Sequence, residues 1–190
     1  MANMDASQVT VGSALATGAI FVAPKGTALP SDATTKLAAA FAALGFTSDA
    51  GVTIAESAES SDIIAWEERT TVHTVKTSYK ETISFMPIQC NEDVAKLTWG
   101  SDNVTVSSGK IAAKHSGKTL DPVVIVIETT PREGIVKRYC GTFQLTERGE
   151  QVMDGTQVDG RALTFTSVAD ANGYTMYEHT ATTTTPASGS

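Results

Sequence analysis

The stretch Thr71-Val-His-Thr-Val-Lys-Thr-Ser-Tyr-Lys-Glu-Thr-Ile-Ser-Phe-Met-Pro-Ile88 decides the fold class. His73, Val75, Thr77, Tyr79, Ile83 and Phe85 share one parity, while Thr74, Lys76, Ser78, Lys80, Thr82 and Ser84 share the other. Successive side chains point to opposite faces of a β-strand, so this period of two predicts long strands with one wet face. A helix would need its apolar residues three and four apart.

Downstream, Val104–Val106, Val123–Ile127, Ile135–Thr146 and Leu163–Val168 are β-branched or alternating runs separated by turn clusters, the spacing of a sandwich or barrel. Asn172-Gly173 is a hairpin signal between the last two strands. Upstream, Ile20-Phe-Val22 runs into the turn Pro24-Lys-Gly26, and Val52-Thr-Ile-Ala55 reads as a further strand. Two helices are expected. One spans about Asp32 to Leu44, with Asp32 as cap, Leu37, Phe41 and Leu44 at i, i+4, i+7, and Gly45 as stop. The other is short: Asn91 caps it, Glu92 and Asp93 complement its positive end, and Gly100 ends it. Between the strand at Val52 and the long alternating run lies a polar, acidic segment carrying Glu56, Glu59 and Asp62. It reads as a long loop with the apolar anchor Ile63-Ile64-Ala65-Trp66, followed by Glu67 and Glu68. Residues 1–19 read as an extended arm and 180–190 as a flexible tail around a β-rich core at 20–179, all in one domain.

The balance of 14 Lys and Arg against 21 Asp and Glu gives a net charge of -7, which disfavours electrostatic adhesion to phosphate backbones. No apolar run reaches the roughly 20 residues of a membrane span, and the N-terminus lacks a basic start with an apolar core, so a soluble intracellular protein is expected. Cys90 and Cys140, far apart and without Cys or His neighbours, suit buried free thiols.

The motifs that resemble catalytic chemistry fail on context. Ala112-Ala-Lys-His-Ser-Gly-Lys-Thr119 fits a relaxed phosphate loop, but such a loop must open a helix, and Leu120-Asp121-Pro122 obstructs one. His73, His115 and His179 lack ligand spacing, no Gly-x-Ser-x-Gly elbow exists, and the acidic segment lacks the oxygen spacing of a calcium loop. No cofactor, metal or catalytic residue is expected, and the acidic segment reads first as a solvated face.

The opening Ile20-Phe-Val-Ala-Pro-Lys-Gly-Thr-Ala-Leu-Pro-Ser-Asp-Ala-Thr35, continuing through Leu44-Gly-Phe46 to Gly51-Val-Thr53, resembles the start of tail tube proteins from long-tailed phages of actinobacteria. Asp62-Ile-Ile-Ala-Trp66 resembles the acidic loop of that family, Asn91-Glu-Asp-Val94 through Trp99-Gly100 its short helix, and Ala169 to Gly173 with Tyr177-Glu178 its closing hairpin. The likeness runs from about residue 18 to 180.

That resemblance implies a structural, non-enzymatic virion protein with a β-sandwich-like fold. Six copies would form a ring, and rings would stack into a hollow tube that conducts double-stranded DNA into the host. Its partners would be itself, a tape measure protein, and the tail tip and terminator proteins, with assembly in the host cytoplasm and no membrane involved. The segment Glu56–Arg69 would connect subunits, with Ile63, Ile64 and Trp66 as contact residues and Glu56, Glu59, Asp62, Glu67 and Glu68 as acidic loop or lumen residues. Six subunits at -7 each carry -42 formal charges per ring, which suits a channel that repels DNA. The alternatives are a tail terminator or connector ring, which shares related geometry without polymerising, and a cell-surface carbohydrate-binding β-sandwich, which the Thr-rich tail encourages.

Overall fold

The computed structural model describes residues 19–130, 134–156 and 158–182, so the expected N-terminal arm, apart from Ala19, and most of the C-terminal tail lie outside the described residues. Among the described residues ten strands and one α-helix make the fold mainly β, as the alternation requires: β1 Ile20–Pro24, β2 Ala42–Ala43, β3 Thr47–Ile64, β4 Thr71–Pro87, α1 Glu92–Trp99, β5 Val104–Ser107, β6 Lys110–Ala113, β7 Val123–Thr129, β8 Ile135–Gln151, β9 Arg161–Val168 and β10 Tyr177–Thr182. Eight strands form one antiparallel sheet in the order β2-β1-β7-β8-β9-β4-β3, with β10 on β8, while β5 and β6 form a separate hairpin.

The sheet folds sandwich-like over a single core. Ile20 of β1, Ile125 and Ile127 of β7, Phe143 of β8, Leu163 and Phe165 of β9, Ile83 and Phe85 of β4 and Leu97 of α1 belong to one buried cluster. Strands from distant parts of the sheet thus meet in one interior, and the Phe85 and Phe165 rings stack at 5.5 Å. The helix closes it: Asn91 Oδ1 accepts from the Val94 amide (2.8 Å) and the Gly100 amide reaches Lys96 O (2.8 Å) with φ of 89°. Asn91 Nδ2 also donates to Leu44 O, which ties the helix start to the chain before β3.

Three secondary-structure expectations are corrected. The helix over Asp32 to Leu44 does not form. Asp32 does cap locally, taking the amides of Thr34 and Thr35, but the carbonyls around it are directed to the sheet. Arg138 Nη1 donates to Asp32 O (2.6 Å), and Cys140 Sγ and His179 Nε2 lie against Pro30 O. The segment covers the face of β7 and β8 that carries Val124, Val126 and Cys140, and buries Ala33. Leu44 still enters the core, but its amide pairs with Ile20 O (3.0 Å) and Gly45 stands at a φ of 89°, where a Cβ would meet Gln89 Oε1 at 1.9 Å.

The acidic segment is the second correction. Glu56 to Asp62 is not a loop but the outer half of β3, paired residue by residue with β4 down to Ile64 and Thr71. Ser, Glu and Asp are poor strand formers, and the long β4 opposite overrides them. Third, Asn172-Gly173 makes a turn, with the Gly173 amide on Asp170 O, but not a hairpin between β9 and β10. Both strands lie on the same edge of β8: Val168 pairs with Thr142, and after the turn Tyr177 rejoins opposite Cys140. Of the two thiols expected to be buried, Cys140 is buried and Cys90 is exposed.

Candidate assembly site

The hairpin of β3 and β4 outgrows the sheet. β4 pairs with β9 only over Thr82–Phe85, whereas β3 and β4 remain paired to Ile64 and Thr71. Beyond Glu56 and Glu81 they form a free ribbon of about eight residue pairs, on the order of 25 Å long. Among the described residues no strand pairs with the outer edge of β3 or, over 71–80, with the edge of β4 that faces away from β3, so both edges present unpaired backbone donors and acceptors. Every described residue from Ala55 to Ile64 and from Thr71 to Lys80 is exposed.

The ribbon tip is a tight turn. The Ala65 amide donates to Thr70 O (2.9 Å), which pushes Trp66 to Arg69 outward, and Glu68 and Arg69 take left-handed φ values of 52° and 53°. Such values cost free energy in residues with a Cβ and persist where surrounding structure imposes them. Trp66, at 95% exposure, is the most solvent-accessible large apolar residue described, and Ile63, Ile64, Val72, Val75 and Tyr79 stand exposed along the stem. The residues singled out as contacts, Ile63, Ile64 and Trp66, therefore fall together at the end of the ribbon. The acidic set is spread along it: Glu56 at the root, Glu59 and Asp62 on the stem, and Glu67 and Glu68 at the tip.

Register assigns these residues to faces. Val52, Ile54, Glu56, Ala58, Ser60, Asp62 and Ile64 continue the core-facing side of β3, opposite Phe85, Ile83, Glu81, Tyr79, Lys76, Thr74 and Thr71. Thr53, Ala55, Ser57, Glu59, Ser61 and Ile63 form the other side. Irregularities between Glu59 and Ser60 and between Ile63 and Ile64 shift the count on β4, so His73 and Val75 lie with Lys80 and Thr82 rather than with Ile83 and Phe85. Strict sequence parity cannot see a bulge. Asp62 Oδ1 accepts from the Thr74 hydroxyl (2.7 Å), and the Lys76 ammonium lies 4.0 Å from the Tyr79 ring centroid, contacts that stiffen an otherwise solvated ribbon.

Sequence parity alone does not single out Glu81. It stands at an apolar position of the alternating row, between Tyr79 and Ile83, and that break was the available signal. Glu81 is only 6% exposed, accepts from the Thr175 hydroxyl and faces Glu56 directly across the strand pair. Partial desolvation of the hydroxyl by its neighbours, reinforced by its hydrogen bond to the Glu81 carboxylate, raises the Tyr79 hydroxyl above its ordinary value. The root of the ribbon is thus a like-charged pair, and from Glu56 to Glu81 the ribbon carries six acidic residues against Arg69, Lys76 and Lys80.

The phosphate-loop decoy lies on β6 and an irregular stretch with no helix after it. Among the described residues no group of three or more His, Cys, Asp or Glu is placed to hold a metal ion, and no helix is long and apolar enough to cross a membrane. An isolated ribbon of two strands is at best marginally stable in water, so this one calls for a neighbouring surface. No curated protein matches the chain. The family model described as phage tail tube protein matches residues 1–188, nearly the whole sequence, and on that match the chain belongs to the phage tail tube protein family, a structural family of the virion tail.

Proposed function

We propose that the chain, acting as one domain over 1–190 with arms at 1–19 and 180–190, is a non-enzymatic subunit whose copies form six-membered rings that stack into a tube conducting double-stranded DNA at ejection. The observation that carries this reading is the β3–β4 ribbon, which leaves the fold with two unpaired edges and an apolar tip. Edge pairing between neighbours would satisfy its backbone groups, and a heterologous contact that does not close propagates a filament. Ile63, Ile64 and Trp66 serve as contacts between subunits. Glu56, Glu59, Asp62, Glu67 and Glu68 keep the ribbon acidic, so that where it meets the channel it repels phosphate and lets DNA slide.

Assembly in the host cytoplasm, with a tape measure protein setting length and tip and terminator proteins at the ends, follows from the same reading. Electron microscopy of the purified full chain tests it. Long hollow tubes of uniform width are expected; closed rings that never stack would favour a terminator, and protein that stays monomeric at high concentration would overturn the reading. A positive electrostatic potential along the channel of such a tube would remove the low-friction argument.

A further inference from the structure

The end of the fold opposite the ribbon tip holds a cleft of about 250 Å³. Pro87, the last residue of β4, and Ile88 beyond it meet Val94 and Trp99 of α1, Ile111 of β6 and Arg161 at the start of β9. The His115 ring lies parallel to that of Trp99 at 3.6 Å, and the Arg148 and Arg161 guanidinium carbons lie 5.0 and 5.6 Å from the Trp99 ring centroid. Arg148 Nε donates to Thr98 O (2.7 Å), and Arg161 donates from Nη1 to Gly149 O (3.2 Å) and from Nη2 to Gln151 Oε1 (3.1 Å). Among the described residues neither forms an ion pair. Asp159, which also lines the cleft, is engaged by the Gln151 amide (2.6 Å).

We infer that this cleft receives the ribbon tip of a second copy of the chain, with Trp66 entering beside Trp99 and Glu67 and Glu68 meeting Arg148 and Arg161. The tip offers a large exposed ring and two carboxylates adjacent in sequence to a cleft whose own carboxylate, Asp159, is already engaged by Gln151. Arginine, with its planar fork of donors, suits carboxylate pairing beside an aromatic surface. Tip and cleft cannot meet within one chain, because β4 itself separates them, from Thr71 at the tip to Pro87 at the cleft, about 55 Å of strand. Donor and acceptor at opposite ends of one subunit make the contact head to tail, and such a contact propagates a filament where its rotation does not close.

This inference rests on the tube reading and names the surface that links successive subunits. Cys90 lines the cleft and is exposed, whereas Cys140 is buried, so a single added thiol makes the contact readable. In full-length protein carrying Glu67→Cys, mild oxidation under assembly conditions is expected to give a ladder of covalent multimers on non-reducing gels. Adding Cys90→Ser should abolish the ladder. Trp66→Ala should raise the concentration needed for assembly at least about tenfold, since truncating a buried interface aromatic costs that much or more, while leaving the circular dichroism of the dilute protein unchanged. Tubes that form normally from Glu67→Cys protein yet give no ladder would overturn the tip-to-cleft contact while leaving the tube reading standing. Wild-type protein that forms no tubes would defeat the tube reading itself.

Discussion

Arg138 and Glu128 are directly opposed on β8 and β7 and form a buried ion pair, with Nη2 2.6 Å and Nε 2.8 Å from Glu128 Oε1. The remaining terminal nitrogen of Arg138 donates to Asp32 O. One guanidinium thereby fastens the Pro30–Thr35 segment across the sheet and takes a carbonyl direction that a helix would have needed along its own axis.

Removing one member of a buried pair strands the other charge, at about 3–5 kcal/mol. Arg138→Ala should therefore destabilise the dilute, unassembled protein by that amount in urea titrations at neutral pH. Replacing both partners by methionine should recover much of the loss, because an apolar pair leaves no uncompensated charge. A double variant as unstable as the single one would mean that the bond to Asp32 O, rather than the ion pair, holds this face together.

Glu56 and Glu81 pose the reverse problem, since like charges directly opposite on a strand pair destabilise it. Glu56→Lys makes an opposite-charge pair at the ribbon root and should stabilise the dilute protein by about 0.2–1 kcal/mol. Glu56→Gln, which only removes the repulsion, should stabilise less. Amide hydrogen exchange resolved to β3 and β4 would show the gain as slower exchange at the root, and faster exchange in Glu56→Lys would contradict the register-based account.

What the sequence disclosed divides by the distance over which each feature is determined. The α1 helix was legible because its cap at Asn91, its acidic first turn and its stop at Gly100 all lie within ten residues. The segment after Asp32 had equally good local signals and still did not become a helix, because Arg138, more than a hundred residues away, claims one of its carbonyls. Glu56 to Asp62 looked like loop by composition, and only the strand opposite makes it β3. Asn172-Gly173 did signal a turn, but which strand β10 joins is chosen by β8. Among candidate site residues, Ile63, Ile64 and Trp66 were visible as an apolar island in polar sequence. The cleft was not, since Trp99, His115, Gln151 and Arg161 come together only through three dimensions.

The two thiols should differ sharply in reactivity. Burial pushes the Cys140 thiol up to about 11, so at pH 8 it stays protonated and enclosed, and the thiolate is the reactive form. Alkylation of native, unassembled protein at pH 8 followed by mass spectrometry should give a single adduct, on Cys90. The second adduct should appear only with denaturant, at the rate of unfolding. Rapid labelling of Cys140 in folded protein would mean that the Pro30 segment opens readily from the sheet.

Asp170 organises the turn that returns the chain to β8: its Oδ1 accepts the Asn172 and Tyr174 amides at 2.8 and 2.9 Å, and its Oδ2 accepts the Tyr177 hydroxyl at 2.5 Å. The Tyr177 hydroxyl first, and the Tyr174 amide second, lower the Asp170 carboxyl below its ordinary value, while the same carboxylate pushes Tyr177 up to about 12. A lowered acid contributes stability that is present above its unfolded value near 4 and is lost as pH falls through the folded one. A raised phenol contributes stability that is fully present below about 10 and is lost as pH rises toward 12. The turn should therefore be most firmly held between about pH 4 and 10, with the Asp170–Tyr177 hydrogen bond contributing to both limits. Asp170→Asn removes the carboxylate from both, so ultraviolet titration of its tyrosines should show one phenol ionising at lower pH than in the wild type. Tyr177→Phe should flatten the alkaline limb of the stability profile and weaken the acid limb. Superimposable tyrosine titrations of wild type and Asp170→Asn would show that the carboxylate does not hold the Tyr177 proton in solution.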